Sequence, residues 1–520
     1  MIQTPSPHGG AGGYSPFMAF MARLHSFIGL FVGPFLIIAA LTGVFYVLTP
    51  QVDQYLYRDQ LVATTQGEPQ PLLKQIGAAS AWLREQGRPE QALFAVRPAR
   101  AEGHTSRIMY KMADARSGES LGVFVDPVSL KVQGALVVYG TSGTLPFRGF
   151  IDYIHRDLGL GEPGRYYSEA AASWAWIAVV GGLMLWVYRR AVLGRPKDAG
   201  VRGWHTRVGL WIALGVLFFS ATGMTWSKWA GELRIEQIRT ELGWVTPPLK
   251  TALDPAKAAA PANPHEEHGH VASAPAGGTG HGGDVGGGHG GHAGAAHEAH
   301  AANAQPGGGA ARGLPAGSPA GAAHDAHADG VTGAVAVPLS LEASVDPVLK
   351  AARDAGIDAP GLEIRPPKKD GHAWTVREID RHWPTQVDSV AVDPRNMQVI
   401  SRSDFETFPL IAKLIRWGID LHMGVLFGLP NQLVIAALAL ALAVMVVLGY
   451  VMWWRRAARR PVSARDTLWG AWLHMGAAGK LAVVLFFALF GWLLPVLAMS
   501  LGLFLLIDAG RYLKLRVQAA

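Results

Sequence analysis

The sequence predicts an α-helical integral membrane bundle of about four core spans, with one or two more at the C-terminus. Two small α+β domains stand outside it, and a span–domain–span unit occurs twice by internal duplication. Three observations predict this architecture. Several windows reach the roughly 18–20 apolar residues that a helix needs to cross a bilayer. Two long segments carrying charges of both signs separate those windows. The motifs that open and close the windows recur at matched spacings, the mark of an internal repeat.

Taken in order, residues 1–22 form a Gly- and Pro-rich tail, and the first span lies within 23–48. Its apolar run, Phe27–Leu48, is too long for a cleaved signal peptide, has Pro34 midway and lacks a small-residue cleavage site. Residues 49–150 are the first outer domain. A helix is expected over Leu72–Arg84, then strands near Ala92–Val96, Arg107–Met112 and Gly122–Asp126, the last entering a turn at Asp126-Pro127. The second span is Ala170–Tyr188, inside 151–190, and a short loop covers 191–203. Val208–Trp226, inside 204–228, is the third span, and 229–250 is a connector. Residues 251–337 are Gly, Ala, Pro and His with almost nothing to bury, so a disordered linker is expected. The second outer domain, 338–410, repeats the plan of the first. A helix over Leu341–Ala355 is followed by strands at Gly361–Arg365 and Ala373–Ile379 and by Val390-Ala391-Val392-Asp393-Pro394. Leu433–Trp454, inside 411–456, is the fourth span, 457–467 a loop, 468–510 the C-terminal span or spans, and 511–520 a tail. Arg511, Lys514 and Arg516 favour a return to the starting side, hence two C-terminal spans and six in all.

The net charge of +7 matters less than its placement. Arg189, Arg190, Arg195, Lys197, Arg202 and Arg207 fill the loop between the second and third spans, and Arg455, Arg456, Arg459, Arg460 and Arg465 follow the fourth. Short loops rich in Lys and Arg face the cytoplasm, which puts both long segments outside. The basic balance therefore reports topology and gives no reason to expect a nucleic-acid partner; the lipid bilayer is the expected one. There are no cysteines, which excludes disulfides, Fe–S clusters, thiolate metal sites and covalently attached haem.

The repeat brings four histidines into register. Arg23-Leu24-His25 and Gly203-Trp204-His205 each lead an apolar run, with Gly29 and Gly209 at the same short distance beyond the His and the pairs Thr42-Gly43 and Thr222-Gly223 matched further on. At the other end, Asp126 precedes His155 by the same interval as Asp393 precedes His422. Gly161 and Gly428 follow those histidines at equal spacing, and the closings Trp186-x-x-Arg189 and Trp453-x-x-Arg456 match as well. Ionisable side chains near hydrocarbon are costly and are usually kept for a partner or cofactor. Facing imidazoles suit a low-spin haem, and cofactor sites in bundles are built from facing helices. His25 with His205, and His155 with His422, are thus candidate ligands for two bis-His haem b groups, one near each face. The four glycines would leave room for a flat macrocycle, and Arg23 and Arg207 could neutralise its propionates.

The remaining histidines fall into two groups. His265, His268, His270, His281, His289, His292, His297, His300, His324 and His327 lie in the linker, where a His-rich chain can hold a transition metal loosely or act only as a solubilising spacer. His8, His104, His372 and His382 read as surface residues, and His474 is a further candidate without a partner. No dinucleotide fingerprint, phosphate-cradling loop, His-Glu-x-x-His or nucleophile elbow is present, so any electrons must come from a separate donor on the cytoplasmic side.

Together the Arg-x-His-x-x-x-Gly…Thr-Gly openings, the Val-x-Val-Asp-Pro outer segments and the Trp-x-x-Arg closings resemble the PepSY-associated transmembrane family, over roughly 20–250 and 338–456. That group includes iron-regulated proteins and ferric-siderophore reductases of Gram-negative inner membranes. The resemblance implies periplasmic PepSY-type domains and a bacterial inner-membrane location. It also implies haem ligation by His25, His155, His205 and His422, and passage of electrons from the cytoplasmic side to a ferric-siderophore or other metal chelate. The alternative is a non-enzymatic metal-binding or uptake accessory that uses the His-rich linker and the PepSY domains. PepSY modules that restrain proteases suggest a third, weaker reading.

Overall fold

The computed structural model describes residues 14–88, 91–113, 115–116, 118–140, 142–194, 199–253, 344–457 and 463–519. The linker histidines, His8 and the expected linker disorder fall outside the described residues.

Helices α1 (Pro16–Phe31) and α2 (Gly33–Leu56) form one apolar stretch broken at Val32. Pro34 has no N–H to give the carbonyl of Leu30, and its ring crowds that turn. The Tyr450 hydroxyl donates to Leu30 O instead, at 2.7 Å. Pro50 leaves the Tyr46 carbonyl free in the same way, and the Thr49 hydroxyl donates to it at 2.6 Å. The run expected as the first span, Phe27–Leu48, therefore straddles a break, and the helix long enough to cross is Gly33–Leu56.

The chain then folds as α3 (Arg58–Leu61), α4 (Leu72–Glu85) and strands β1 (Leu93–Arg97), β2 (Ser106–Tyr110), β3 (Glu119–Val125) and β4 (Val132–Tyr139). Helix α5 (Pro146–Asp157) leads into α6 (Arg165–Val187), and α7 (Gly200–Thr225) is followed by a π-helical turn and α8 (Glu236–Glu241). The second outer segment supplies α9 (Val345–Asp354), β5 (Leu362–Arg365), β6 (Trp374–Glu378), β7 (Ser389–Val392) and β8 (Val399–Ser403). Last come α10 (Leu410–His422), α11 (Leu429–Ala457), α12 (Leu468–Leu473), α13 (Ala477–Leu493) and α14 (Pro495–Ala519).

Each outer segment thus contributes four strands and one helix packed on them. The strands do not make two separate sheets: the order is β4-β3-β2-β1-β5-β6-β7-β8, antiparallel throughout, joined where Val96 pairs with Ile364. Ile108, Val123 and Val125 from one half and Trp374, Val376 and Val390 from the other share a core with Ile76 of α4 and Val348 of α9. At the junction Arg97 Nε donates to Glu363 Oε2 at 2.8 Å. Burial alone would raise the Glu363 carboxyl, but Arg97 and Arg365 hold it down at about 2. The sequence pattern shows three strands per segment and misses β4 and β8. Both are edge strands with partly exposed residues, so they lack a buried alternating face.

Five described helices are long and apolar enough to cross a membrane: Gly33–Leu56, Glu162–Val192, Gly200–Thr225, Leu429–Arg456 and Pro495–Gln518. The C-terminal stretch divides at Pro495 into α14 and the preceding α13, which is apolar but shorter than the other five.

Candidate functional site

Four histidines at span ends form two groups. His25 on α1 faces His205 on α7, with ring centres 6.3 Å apart and ring planes at 83°. His155 on α5 and His422, the last residue of α10, line one cavity of about 220 Å³ that runs into the bundle between α2, α6, α7 and α11.

Backbone carbonyls fix the tautomer of the inner rings, and threonine hydroxyls hold the outer ones at Nδ1. His25 Nδ1 lies 3.0 Å from Ala178 O, and His205 Nδ1 lies 3.0 Å from Met445 O. A carbonyl only accepts, so both Nδ1 atoms carry the proton. His155 Nδ1 lies 2.9 Å from the Thr42 hydroxyl, and His422 Nδ1 lies 2.6 Å from that of Thr222. Each hydroxyl already gives its one hydrogen to a carbonyl a turn earlier, Thr42 to Ile38 at 2.7 Å and Thr222 to Phe218 at 2.8 Å. With its hydrogen on that carbonyl, each hydroxyl is an acceptor for the imidazole Nδ1–H. In a neutral ring with Nδ1–H this leaves the lone pair on Nε2; His155 additionally meets the Ala39 backbone. A metal-binding histidine is typically held this way, its other nitrogen donating to an oriented acceptor.

The acceptors keep the register of the histidines. The interval from Thr42 to Thr222 equals that from His25 to His205, and the interval from Ala178 to Met445 equals that from His155 to His422. Two glycines explain how the inner rings reach a helix carbonyl. Gly182 and Gly449 sit one turn beyond Ala178 and Met445; a Cβ there would meet His25 Cε1 at 3.2 Å and His205 Cε1 at 3.7 Å. Gly43 serves the outer site similarly, with its missing Cβ 3.4 Å from His155 Cε1. The sequence offered the Thr-Gly pairs as markers without their role, and Ala178, Met445, Gly182 and Gly449 were missed. The offset of the two glycines, shared with His155 and His422, is the only signal of this seat that the sequence carries.

Of the glycines expected to make room, Gly29 does face open space, whereas a Cβ at Gly209 would lie 3.1 Å from Met445 Sδ. Gly161 and Gly428 instead take positive φ, +66° and +59°, in the turns after α5 and α10. Arg23 bridges Asp466 at 3.7 Å, and the Arg207 guanidinium lies over the Trp204 ring. His474 gives Nδ1–H to Gly470 O at 2.7 Å within its own turn, and no second histidine faces it among the described residues.

The outer cavity is walled mostly by small side chains such as Ala39, Ala40, Gly43, Ala172 and Gly223, and by aromatics flanking the histidines. Tyr46 stacks on His155 at 6.5 Å, and Trp226, at the same spacing from His205 as Tyr46 from His25, lies 6.2 Å from His422. Trp226 Nε1 is buried without a hydrogen-bond partner. Nearer the sheet the lining turns polar with Ser142, Thr144, Asp152, Arg156 and Arg381.

Among the described residues no three His, Cys, Asp or Glu side chains come together as a metal cluster. A bare transition ion usually draws three or four protein ligands. A macrocycle brings its own equatorial nitrogens and asks the protein for two axial ones. With metal–imidazole bonds of about 2 Å and roughly 1 Å more to each ring centre, two imidazoles on one ion stand about 6 Å apart. The inner pair has that separation, so the donor set fits haem better than a bare ion.

Membrane-length helices, an antiparallel sheet outside the spans and paired half-buried histidines define a multi-pass helical membrane protein with one β domain. The chain belongs to the family described as the PepSY-associated TM region, whose model matches residues 22–456. No curated protein matches it.

Proposed function

We propose that this is an inner-membrane di-haem b protein that passes electrons across the bilayer to reduce a periplasmic ferric-siderophore or other metal chelate. The single observation that carries this reading is the matched seating of four histidines in two groups, the inner two giving Nδ1–H to helix carbonyls and the outer two held at Nδ1 by threonine hydroxyls, which leaves Nε2 for a ligand. His25 and His205 would hold the inner group, and His155 and His422 the outer. Haem held by these histidines would supply a one-electron carrier. Thr42 and Thr222 fix the outer rings, and the carbonyls of Ala178 and Met445 fix the inner ones.

The Arg-rich loops beside His25 and His205 support a cytoplasmic position for that pair, which leaves the sheet and the polar mouth of the outer cavity in the periplasm. The constant offsets between matched residues of the two halves support their origin by duplication. Detergent-purified protein from haem-replete cells should show a Soret band that shifts on reduction. His205→Ala or His422→Ala should remove about half of it, one of two sites. Dithionite-reduced protein should be reoxidised by a ferric chelate. A colourless wild-type preparation refutes the reading.

A further inference from the structure

The planes of the inner rings carry information beyond their separation. His25 on α1 and His205 on α7 face each other with ring planes at 83°, close to a right angle. Each plane is set by the helix it leans on. His25 gives Nδ1–H to Ala178 O of α6 at 3.0 Å, and its Cε1 lies against Gly182, where a Cβ would stand 3.2 Å away. His205 gives Nδ1–H to Met445 O of α11 at 3.0 Å, with its Cε1 3.7 Å from the Cβ position of Gly449. An imidazole free at both of these atoms can turn about Cβ–Cγ. One bonded at Nδ1 and flanked at Cε1 cannot turn without losing the carbonyl or striking the helix. The two seats are on different helices, so each plane is held independently of the other.

The angle between two axial imidazoles has an electronic consequence. The filled π orbital of an imidazole stands perpendicular to its ring and overlaps one of the two dπ orbitals of an iron it ligates. Parallel rings raise the same dπ orbital and split the pair, whereas crossed rings raise one each and leave the two nearly equal. Ferric iron has a hole in this set and is stabilised most when both rings donate into one orbital. We infer that His25 and His205 form a crossed-plane axial pair, set by the carbonyls of Ala178 and Met445 and by the helix surface at Gly182, and that the crossing makes the inner group easier to reduce than parallel rings would. Gly182 acts through the imidazole and is a positioning residue, in the way that outer contacts tune a metal by orienting its ligands. The crossing stands on the ring geometry alone; its effect on reduction rests on the haem reading.

The test is electron paramagnetic resonance of the oxidised full-length protein in detergent, read beside haem content and a potentiometric titration. Crossed axial rings give low-spin ferric iron a strongly anisotropic signal with one resolved low-field feature, whereas parallel rings give a rhombic signal. Wild type should show the anisotropic signal. It should persist in His422→Ala, where the inner pair is left intact, and disappear in His205→Ala. Gly182→Ala places a methyl 3.2 Å from His25 Cε1, so the ring must turn. In that variant the low-field feature should shift towards the rhombic position and the inner midpoint potential should fall, with haem content kept. Gly181→Ala, whose Cβ meets only Met21 Cε at 3.4 Å, makes the same change of backbone propensity on α6 and should move neither. A protein with both haems and only rhombic signals overturns the proposal and leaves the haem reading standing. So does an anisotropic signal that survives His205→Ala, or a signal and midpoint in Gly182→Ala identical to those of wild type. A colourless preparation refutes the haem reading itself, and the effect on reduction falls with it.

Discussion

Thr222→Val tests the tautomer argument with the smallest change in shape. The variant keeps the β-branched volume on α7 and removes the oxygen that His422 Nδ1–H meets at 2.6 Å. Its internal bond to Phe218 O disappears too, but that carbonyl keeps its helical partner. A buried N–H left without an acceptor costs about 1–3 kcal/mol. Loss of a residue that orients a metal-binding histidine typically lowers affinity about 10–100-fold, which is about 1.4–2.7 kcal/mol. The two routes agree, so the outer site of Thr222→Val should bind its group about 10–100-fold more weakly than wild type. Thr222→Ser, which restores the oxygen, should recover most of the loss. The assay is haem content per polypeptide over a dilution series, read beside the reduced-minus-oxidised spectrum and a thermal melt of the same sample. If Thr222→Val folds normally and keeps full occupancy and an unchanged spectrum, the hydroxyl does not set the imidazole and the reasoning fails.

Gly182→Leu should act on the inner site alone: a Cβ already stands 3.2 Å from His25 Cε1, so a larger side chain must displace the ring, removing about half the Soret intensity and sparing the outer half. Tyr450→Phe leaves the Leu30 carbonyl without a donor at the α1–α2 break and should lower stability by about 1–3 kcal/mol in a denaturant titration in mixed micelles. Asp126 takes N–H bonds from Ser129, Val128, Thr64 and Thr65; burial works against ionisation, but these donors hold its carboxyl down at about 2. A carboxyl depressed in the folded state adds stability that is fully present above its ordinary value of 3.8 and is withdrawn as pH falls towards 2. Near-ultraviolet circular dichroism should therefore show the sheet loosening across that window, and Asp126→Asn should flatten the response while weakening the fold at neutral pH.

How much of this was legible beforehand depends on which residues carried a periodic or repeated signal. The spans were visible because hydrocarbon demands long apolar runs, and the histidines because a costly residue recurred at one spacing. The break at Val32 was half visible: Pro34 announced it, but the rescue of Leu30 O comes from Tyr450 on the fourth span and depends on tertiary packing. The shared sheet left no trace, since the pairing of Val96 with Ile364 involves two ordinary core residues and a crossover past the whole second and third spans. Ala178 and Met445 act through their carbonyls, which every residue has, so no side-chain pattern could reveal them. The glycines beside them were readable only as a coincidence of spacing with His155 and His422.

The near-symmetry of the halves also indicates where they must differ. The inner rings both rest on helix carbonyls and the outer rings both rest on threonines, so the orientation of each ring is set alike in the two repeats. The flanking residues are not alike: Tyr46 stands where the second repeat has Trp226, and Ala40 where it has Ser220. A site with one face towards α2 and another towards α7, and with Arg381 and Arg156 at its sheet-side mouth, has a definite orientation. The matched spacing thus seats the four rings alike, and the departures from it give the outer cavity two unlike walls.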